Sequence, residues 1–382
     1  MNIILVIPSN TGTIASVSFD LYKGLCKQPE IKVYVACLGS YKEDGFQFEN
    51  IYKLGERKGI IAKVFTRILR LRRIKKENNI KISISTLLGA TYWNVLSGIG
   101  EMKIGIFHTK LEQRKSAGKF TYFASVAANY LLCSHLDKFI AVNKSAYLDL
   151  KKLQKGKDIE LVYNIHDFAK IEKNACLDLT DEKEKNIFCN PVILYVGGLY
   201  IGVKGSDRLV KAFVKVHTKH PNYQLVFIGS DDDDSLTSLK RIIDENKLAD
   251  SIHFLGRKEN PYKYMKRALM LVSPSRDEGL PGVLIEALSI GVKCVATNSS
   301  IGVWEIMQCS DDYEKELNEI VETKFGFITP NKFDDENFTI DKISEAIELC
   351  IKKKEFDKSS FDEERFSEKE VIPHYLKFKR NL

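Results

Sequence analysis

"LMLVSPSRDEGLPGVLIEALSIGVKCVATN", residues 269–298, contains a strand, a turn, a helix and a second strand in succession. "LMLVSPS" and "KCVATN" are short apolar runs of strand length, and Gly279, Pro281 and Gly282 mark a turn between them. The apolar positions of "VLIEALSIG" have helical spacing and end at Gly291, which suits a helix stop. Reading outward, the rhythm recurs. "VILYVGGLY", "QLVFIGS" and "SIHFLG" precede this unit, and "NIILVIP", "KVYVACL", "KISIST", "KIGIFHT" and "KFIAVN" punctuate the first half. Strands alternating with segments of helical length indicate parallel βαβ units. The expected fold class is therefore α/β, with two open, doubly wound parallel sheets.

The chain has 382 residues, enough for two domains at about 100 to 200 residues each. Between the halves, "IEKNACLDLTDEKEKNIFCN" is charged, lacks a strand pattern and ends at Pro191. The expected division is residues 1–170, a linker at 171–190, a second domain at 191–362 and a terminal segment at 363–382. With 44% hydrophobic residues the chain has an ordinary soluble composition, and no run approaches the roughly 18 apolar residues of a membrane span. "MNIILVIPSN" lacks a basic leader and a small-residue cleavage site, so it reads as a strand and the expected location is cytoplasmic. The cysteines (26, 37, 133, 176, 189, 294, 309, 350) form no C-x-x-C pair, which argues against a zinc knuckle or a disulfide framework.

The net charge of +7 is unevenly spread: residues 1–170 carry 27 Lys plus Arg against 14 Asp plus Glu, and the remainder 31 against 37. A basic half beside an acidic one suggests an anionic partner such as phospholipid, a lipid pyrophosphate or nucleic acid. Residues 57–79 place Ile60, Ile61, Val64, Phe65, Ile68 and Leu71 at helical spacing, with Lys58, Lys63, Arg67, Arg70, Arg73, Lys75 and Lys76 crowding the rest. This helix either lies on an anionic membrane surface or docks on the core with a solvated basic face. No nucleic-acid-binding motif accompanies the charge, so no nucleic-acid partner is expected.

Ligands of doubly wound sheets bind beyond the carboxyl ends of the strands. After "VILYV", Gly197 and Gly198 permit a tight turn, and Lys204 stands just before a helix expected to begin near Ser206. A lysine there suits a phosphate, although a plain surface lysine is the alternative. In the opening stretch, Glu278 precedes the turn and Glu286 lies in the helix after it. Carboxylates compete with an anion for a helix N-terminus but accept hydrogen bonds from vicinal sugar hydroxyls. One Glu could hold a hexose and the other a ribose, with phosphates between them. The alternatives are helix stabilisation for Glu278 and a solvated helix face for Glu286.

The spacing of Glu278 and Glu286, the Gly-Leu-Pro after the first Glu, the "EAL" helix and the Lys204-Gly205 pair resemble the retaining glycosyltransferases of family four. The likeness is strongest over residues 191–310. It implies the GT-B fold, two Rossmann-like domains facing across a cleft, with the terminal segment "RFSEKEVIPHYLKFKR" as a helix crossing back to the first domain. It further implies that Glu278 contacts the donor sugar, Glu286 the ribose, and Lys204 the diphosphate. Gly198 and the turn Gly279, Leu280, Pro281, Gly282 and Val283 would border the donor, with the base near Gly256 and Arg257. His108 of "GIFHTK" matches a histidine that the family often carries near the reacting sugar.

The resemblance also has gaps. Family members commonly carry an arginine where this chain has Gly198, so Lys204 would act alone, or with Arg276 or Arg208 in part. Only Gly12 stands where many members have paired glycines, and "YNIHDF" has Ile165 and His166 inside the Asn164 to Asp167 turn. The chemistry implied is same-face transfer, in which the leaving phosphate takes the acceptor's proton and neither a side-chain base nor a metal or cofactor is required. "SDDDDS" at 230–235 reads as a solvated loop in preference to a manganese site.

The expected function is transfer of a hexose or N-acetylhexosamine from a nucleotide-sugar donor, in the first place a UDP-sugar. The expected acceptor is a growing glycan on polyprenyl diphosphate at the inner-membrane surface, as in O-antigen or capsule synthesis. A nucleotide-sugar epimerase of the same fold and a non-catalytic binding protein are the competing readings.

Overall fold

A computed structural model describes residues 1–55, 60–108, 130–231, 234–307, 313, 316–353, 356 and 358–377, with the backbone alone at 60–64. The chain divides into two compact units, Met1–Asp167 with Glu364–Leu382, and Phe168–Glu363.

The first unit runs β1 (Asn2–Ile7), α1 (Thr13–Cys26), β2 (Lys32–Cys37), β3 (Ile51–Lys53), α2 (Ile60–Glu77), β4 (Ile82–Thr86), α3 (Leu88–Leu96), β5 (Met102–Phe107), β6 (Lys138–Ala141), α4 (Lys144–Leu153) and β7 (Asp158–Leu161). Its sheet has the order β3-β2-β1-β4-β5-β6-β7. Every pairing in it is parallel. A parallel strand covered by helices on both faces needs a continuous apolar run, and Ile3–Ile7 of "NIILVI" supply it. Ile3, Leu5 and Ile7 enter one core cluster, while Ile4 and Val6 enter another. The helix Glu368–Leu376 adds Val371, Ile372 and Tyr375 to the first of these clusters. Lys27 and Glu368 pair at 2.6 Å beside it.

Helix α2 corrects the expected amphipathic stripe. Leu71 and Ile74 are buried on the sheet, whereas Phe65 and Leu69 are 67% and 62% exposed. Lys75, assigned from sequence to the basic face, is fully buried and donates to Glu101 Oε1 at 2.6 Å. It also donates to Asn94 Oδ1 at 2.8 Å. Burial pushes its ammonium down to about 8. Burial acts upward on Glu101, but the Lys75 charge outweighs it and holds the carboxyl below its ordinary value. Among the expected stripe and face, Lys58 and the side chains of Ile60, Ile61, Lys63 and Val64 lie outside the described residues.

The second unit runs α5 (Phe168–Ala175), α6 (Glu182–Phe188), β8 (Val192–Val196), α7 (Ile201–Lys204), α8 (Ser206–Lys219), β9 (Gln224–Ile228), α9 (Ser235–Glu245), β10 (Ile252–Phe254), α10 (Tyr262–Met265), β11 (Met270–Ser273), α11 (Gly282–Ser289), β12 (Lys293–Thr297), α12 (Ile301–Ile306), β13 (Val321–Thr323), β14 (Gly326–Thr329) and α13 (Glu336–Lys352). The sheet order is β10-β9-β8-β11-β12-β14-β13, and only β13 runs antiparallel among the described strands.

Residues 171–190 are no open connector. Helices α5 and α6 belong to this unit, with Ile171, Ala175 and Leu179 buried. Glu184 accepts from Tyr264 at 2.6 Å and from Lys258 at 2.7 Å. Few apolar residues suffice for one-sided docking of short helices, which is why the charged composition resembled a linker.

Candidate functional site

The carboxyl ends of β8 and β11 carry two loops that interleave. After β8 the chain turns at Gly197 and Gly198, and the buried Tyr195 hydroxyl donates to Gly198 O at 2.6 Å. Burial, with the Glu278 charge adding to it, pushes this phenol far upward, so it stays a donor at any working pH. A Cβ at residue 198 would stand 2.5 Å from the Tyr200 ring. Any side chain at residue 198 would therefore require the Tyr200 ring to shift.

Helix α7 is a single turn ending at Lys204, and Gly205 reverses the chain into α8 at φ 66°. A Cβ on Gly205 would come 2.2 Å from Pro274 O in the loop after β11. Only glycine satisfies both the left-handed backbone and this approach.

The loop after β11 brings Glu278 to Lys204. Lys204 Nζ donates to Glu278 Oε1 at 2.6 Å, and Ser275 Oγ donates to the same oxygen at 2.8 Å. The chain then passes through Gly279, Leu280 and Pro281 into α11, whose first turn holds Gly282 and Val283 and has no side-chain cap. Unpaired N–H groups and the positive end of the helix dipole make such a terminus receptive to anions and oxygen ligands. Leu284, Ile285, Ala287 and Leu288 bury the helix against the sheet, and Glu286 is half-buried among them. Ser300 Oγ donates to Gly279 O at 3.1 Å and holds the turn from the α12 side.

Gly256 and Arg257, both exposed, follow β10 at the same edge of the sheet. The turns are tied in series: Gly197 N donates to Ile228 O at 2.9 Å and Gly229 N to Gly256 O at 3.0 Å.

The two arginines considered as replacements for the missing one are committed elsewhere. Arg208 has no exposed surface and forks onto Glu336 at 2.6 and 2.8 Å, with Asn331 Oδ1 at 2.7 Å from its third nitrogen. Arg276 forks onto Asp207 at 3.0 and 3.1 Å and also donates to Glu336 at 3.1 Å. Two guanidinium groups and two carboxylates cancel, so the network adds little net field and Lys204 remains the cation of the loop pair. Sequence reading passed over Glu336, Asn331 and Ser275. Glu336 is 60 residues from Arg276 in sequence, and only the β14-to-α13 passage brings it there.

His108 lies in the first unit at the end of β5. Its carbonyl accepts from Asn143 Nδ2 at 2.9 Å, and its ring Nε2 is buried without a partner among the described residues. Burial lowers its pKa to about 4, so the imidazole is neutral at pH 7. In the Asp-rich loop, Asp231 accepts from Leu236 N at 3.1 Å, and Asp232 and Asp233 lie outside the described residues.

Residues 180–359 match the family described as Glycosyl transferases group 1. An uncharacterized glycosyltransferase of Haemophilus influenzae is 25% identical over 307 residues, spanning 78% of this chain and 80% of that protein. The N-acetylgalactosamine-N,N'-diacetylbacillosaminyl-diphospho-undecaprenol 4-alpha-N-acetylgalactosaminyltransferase of Campylobacter jejuni is 31% identical over 150 residues, 39% of this chain and 38% of that one. Among solved structures, the lipopolysaccharide outer core galactosyltransferase WaaB superposes with a TM-score of 0.69 at 15% identity, covering 98% of both chains. That likeness establishes the GT-B fold.

Proposed function

We propose that this chain, whose residues 180–359 match the group 1 glycosyltransferases, transfers a hexose or N-acetylhexosamine, with retention, from a UDP-sugar to a growing glycan on a polyprenyl diphosphate carrier. The carrying observation is the contact of Lys204 with Glu278 at 2.6 Å, in two loops at the carboxyl end of the sheet and just before the α11 N-terminus. Cleaving the bond from an anomeric carbon to a diphosphate develops negative charge on the phosphate and positive charge on the sugar. Lys204 and the N–H groups of Gly282 and Val283 suit the first, and fixed groups of that kind usually supply the largest catalytic term. Glu278 suits the hydroxyls of the donor sugar and Glu286 those of the ribose, with the base beside Gly256 and Arg257. The departing phosphate takes the acceptor's proton, so no metal and no side-chain base is needed.

The named Campylobacter relative acts on an undecaprenol-linked glycan, which supports a lipid-linked acceptor here. Among the described residues no helix is long and apolar enough to cross a membrane. Surface attachment would fall to α2, where the exposed Phe65 and Leu69 lie near Arg70, Arg72, Arg73 and Lys76.

A thermal-shift panel of UDP, GDP and their sugars in metal-free buffer tests the donor reading, because a ligand bound only by the folded state raises Tm. A shift with UDP-sugars followed by transfer to a polyprenyl-linked acceptor is the expected result. No shift with any nucleotide overturns it, and isomerisation of the donor without an acceptor replaces it by epimerisation.

A further inference from the structure

Arg276 stands two residues before Glu278 and grips the turn that carries Lys204. Its backbone N–H donates to Val203 O at 2.7 Å, and its guanidinium reaches Ile201 O as well as both oxygens of Asp207. Its Nε donates to Glu336 Oε1 at 3.1 Å, and its own carbonyl accepts from Asn331 Nδ2 at 2.9 Å. One residue thus joins α7, the start of α8, the loop after β14 and the start of α13. The side chain is only 15% exposed, and all three of its nitrogens are engaged within the protein. A lysine cannot make this planar fork, because an ammonium is a point charge on a flexible stem.

We propose that Arg276 is the positioning residue of the donor site, holding the 201–204 turn and the 275–278 loop in the register that sets Lys204 against Glu278. It touches no substrate and acts through those two residues; its catalytic consequence rests on the transferase reading above. Displacing a site group by about 1 Å can cost on the order of 100-fold in rate.

The test uses the full chain with Arg276→Met, Arg276→Lys and, should these fail to fold, Asp207→Asn, which removes one charged prong. The structural readout is the acylation rate of Lys204 by a water-soluble ester, followed by mass spectrometry, with exposed Lys240 as internal standard. Each variant should raise Lys204 reactivity several-fold against Lys240. Arg276→Met should also lower kcat about 100-fold with a smaller change in donor KM, and Arg276→Lys should not restore it. Unchanged Lys204 reactivity in a folded variant overturns the positioning role, as does a retained kcat in an enzyme that is active when unmutated. If the unmutated chain transfers no sugar, the transferase reading fails while the labelling result still decides the role of Arg276.

Discussion

The Lys204 ammonium donates to Glu278 Oε1 at 2.6 Å across 74 residues of sequence. Each residue is the other's counter-ion, and under the proposed function a diphosphate sugar would replace both partners at once: phosphate oxygens for the lysine and sugar hydroxyls for the carboxylate. Glu278→Gln keeps the shape and the Ser275 contact but removes the charge. Turnover should fall about 100- to 1000-fold with nucleotide binding retained, measured by transfer kinetics beside calorimetry. Full activity in Glu278→Gln would exclude the carboxylate from the reaction.

Gly205→Ala should destabilise the second unit and weaken donor binding together. The substitution combines a left-handed backbone with an approach of 2.2 Å to Pro274 O, and strain of this kind costs about 1 to 3 kcal/mol. Chemical denaturation reads the stability and UDP titration reads the site. A neutral Gly205→Ala would mean that the two loops can separate freely.

Lys75→Met leaves Glu101 buried without its counter-ion, and breaking one side of such a pair costs about 3 to 5 kcal/mol. Replacing both, Lys75→Met with Glu101→Leu, should recover most of that loss. Urea midpoints of the two variants check the ordering. A single variant as stable as the parent would show that water reaches the pair.

His166 is held by burial at a pKa of about 4, below its ordinary 6.5, and His108 behaves alike. Between those values the unfolded chain binds more protons than the folded one, so stability falls as pH drops through that window and is fully present above it. His166→Phe, which retains an aromatic ring against Phe366, should flatten the dependence of Tm on pH between about 6.5 and 4. An unchanged slope would place the acid sensitivity elsewhere.

Phe65 and Leu69 lie one helical turn apart on α2 and are exposed. Phe65→Ser with Leu69→Ser should reduce sedimentation with vesicles containing anionic phospholipid and leave the unfolding free energy within about 0.5 kcal/mol of the parent, as exposed substitutions generally do. Equal binding to neutral and anionic vesicles, or none in the parent, counts against a membrane-facing α2.

Much of this molecule was legible without coordinates, because parallel strands buried on both faces must be apolar throughout and stand out between amphipathic helices. "NIILVI" and "VILYV" are such strands, and both units are built outward from them. The turn from Glu278 through Gly282 and the Lys204-Gly205 pair were equally visible, since glycine, proline and charge at a strand-to-helix junction are local signals. What the sequence could not disclose depends on long-range placement. Charge composition alone could not distinguish an exposed Lys75 from one sealed against Glu101, or a free linker from α5 and α6 docked on the second unit. Nor could it show that Arg208 and Arg276 are consumed by Asp207 and Glu336 and so cannot serve a phosphate. A charged side chain's partner is set by which loops the sheet order brings together, and residues 60 to 128 positions apart meet here only because β8, β11 and β14 end at one edge of a single sheet.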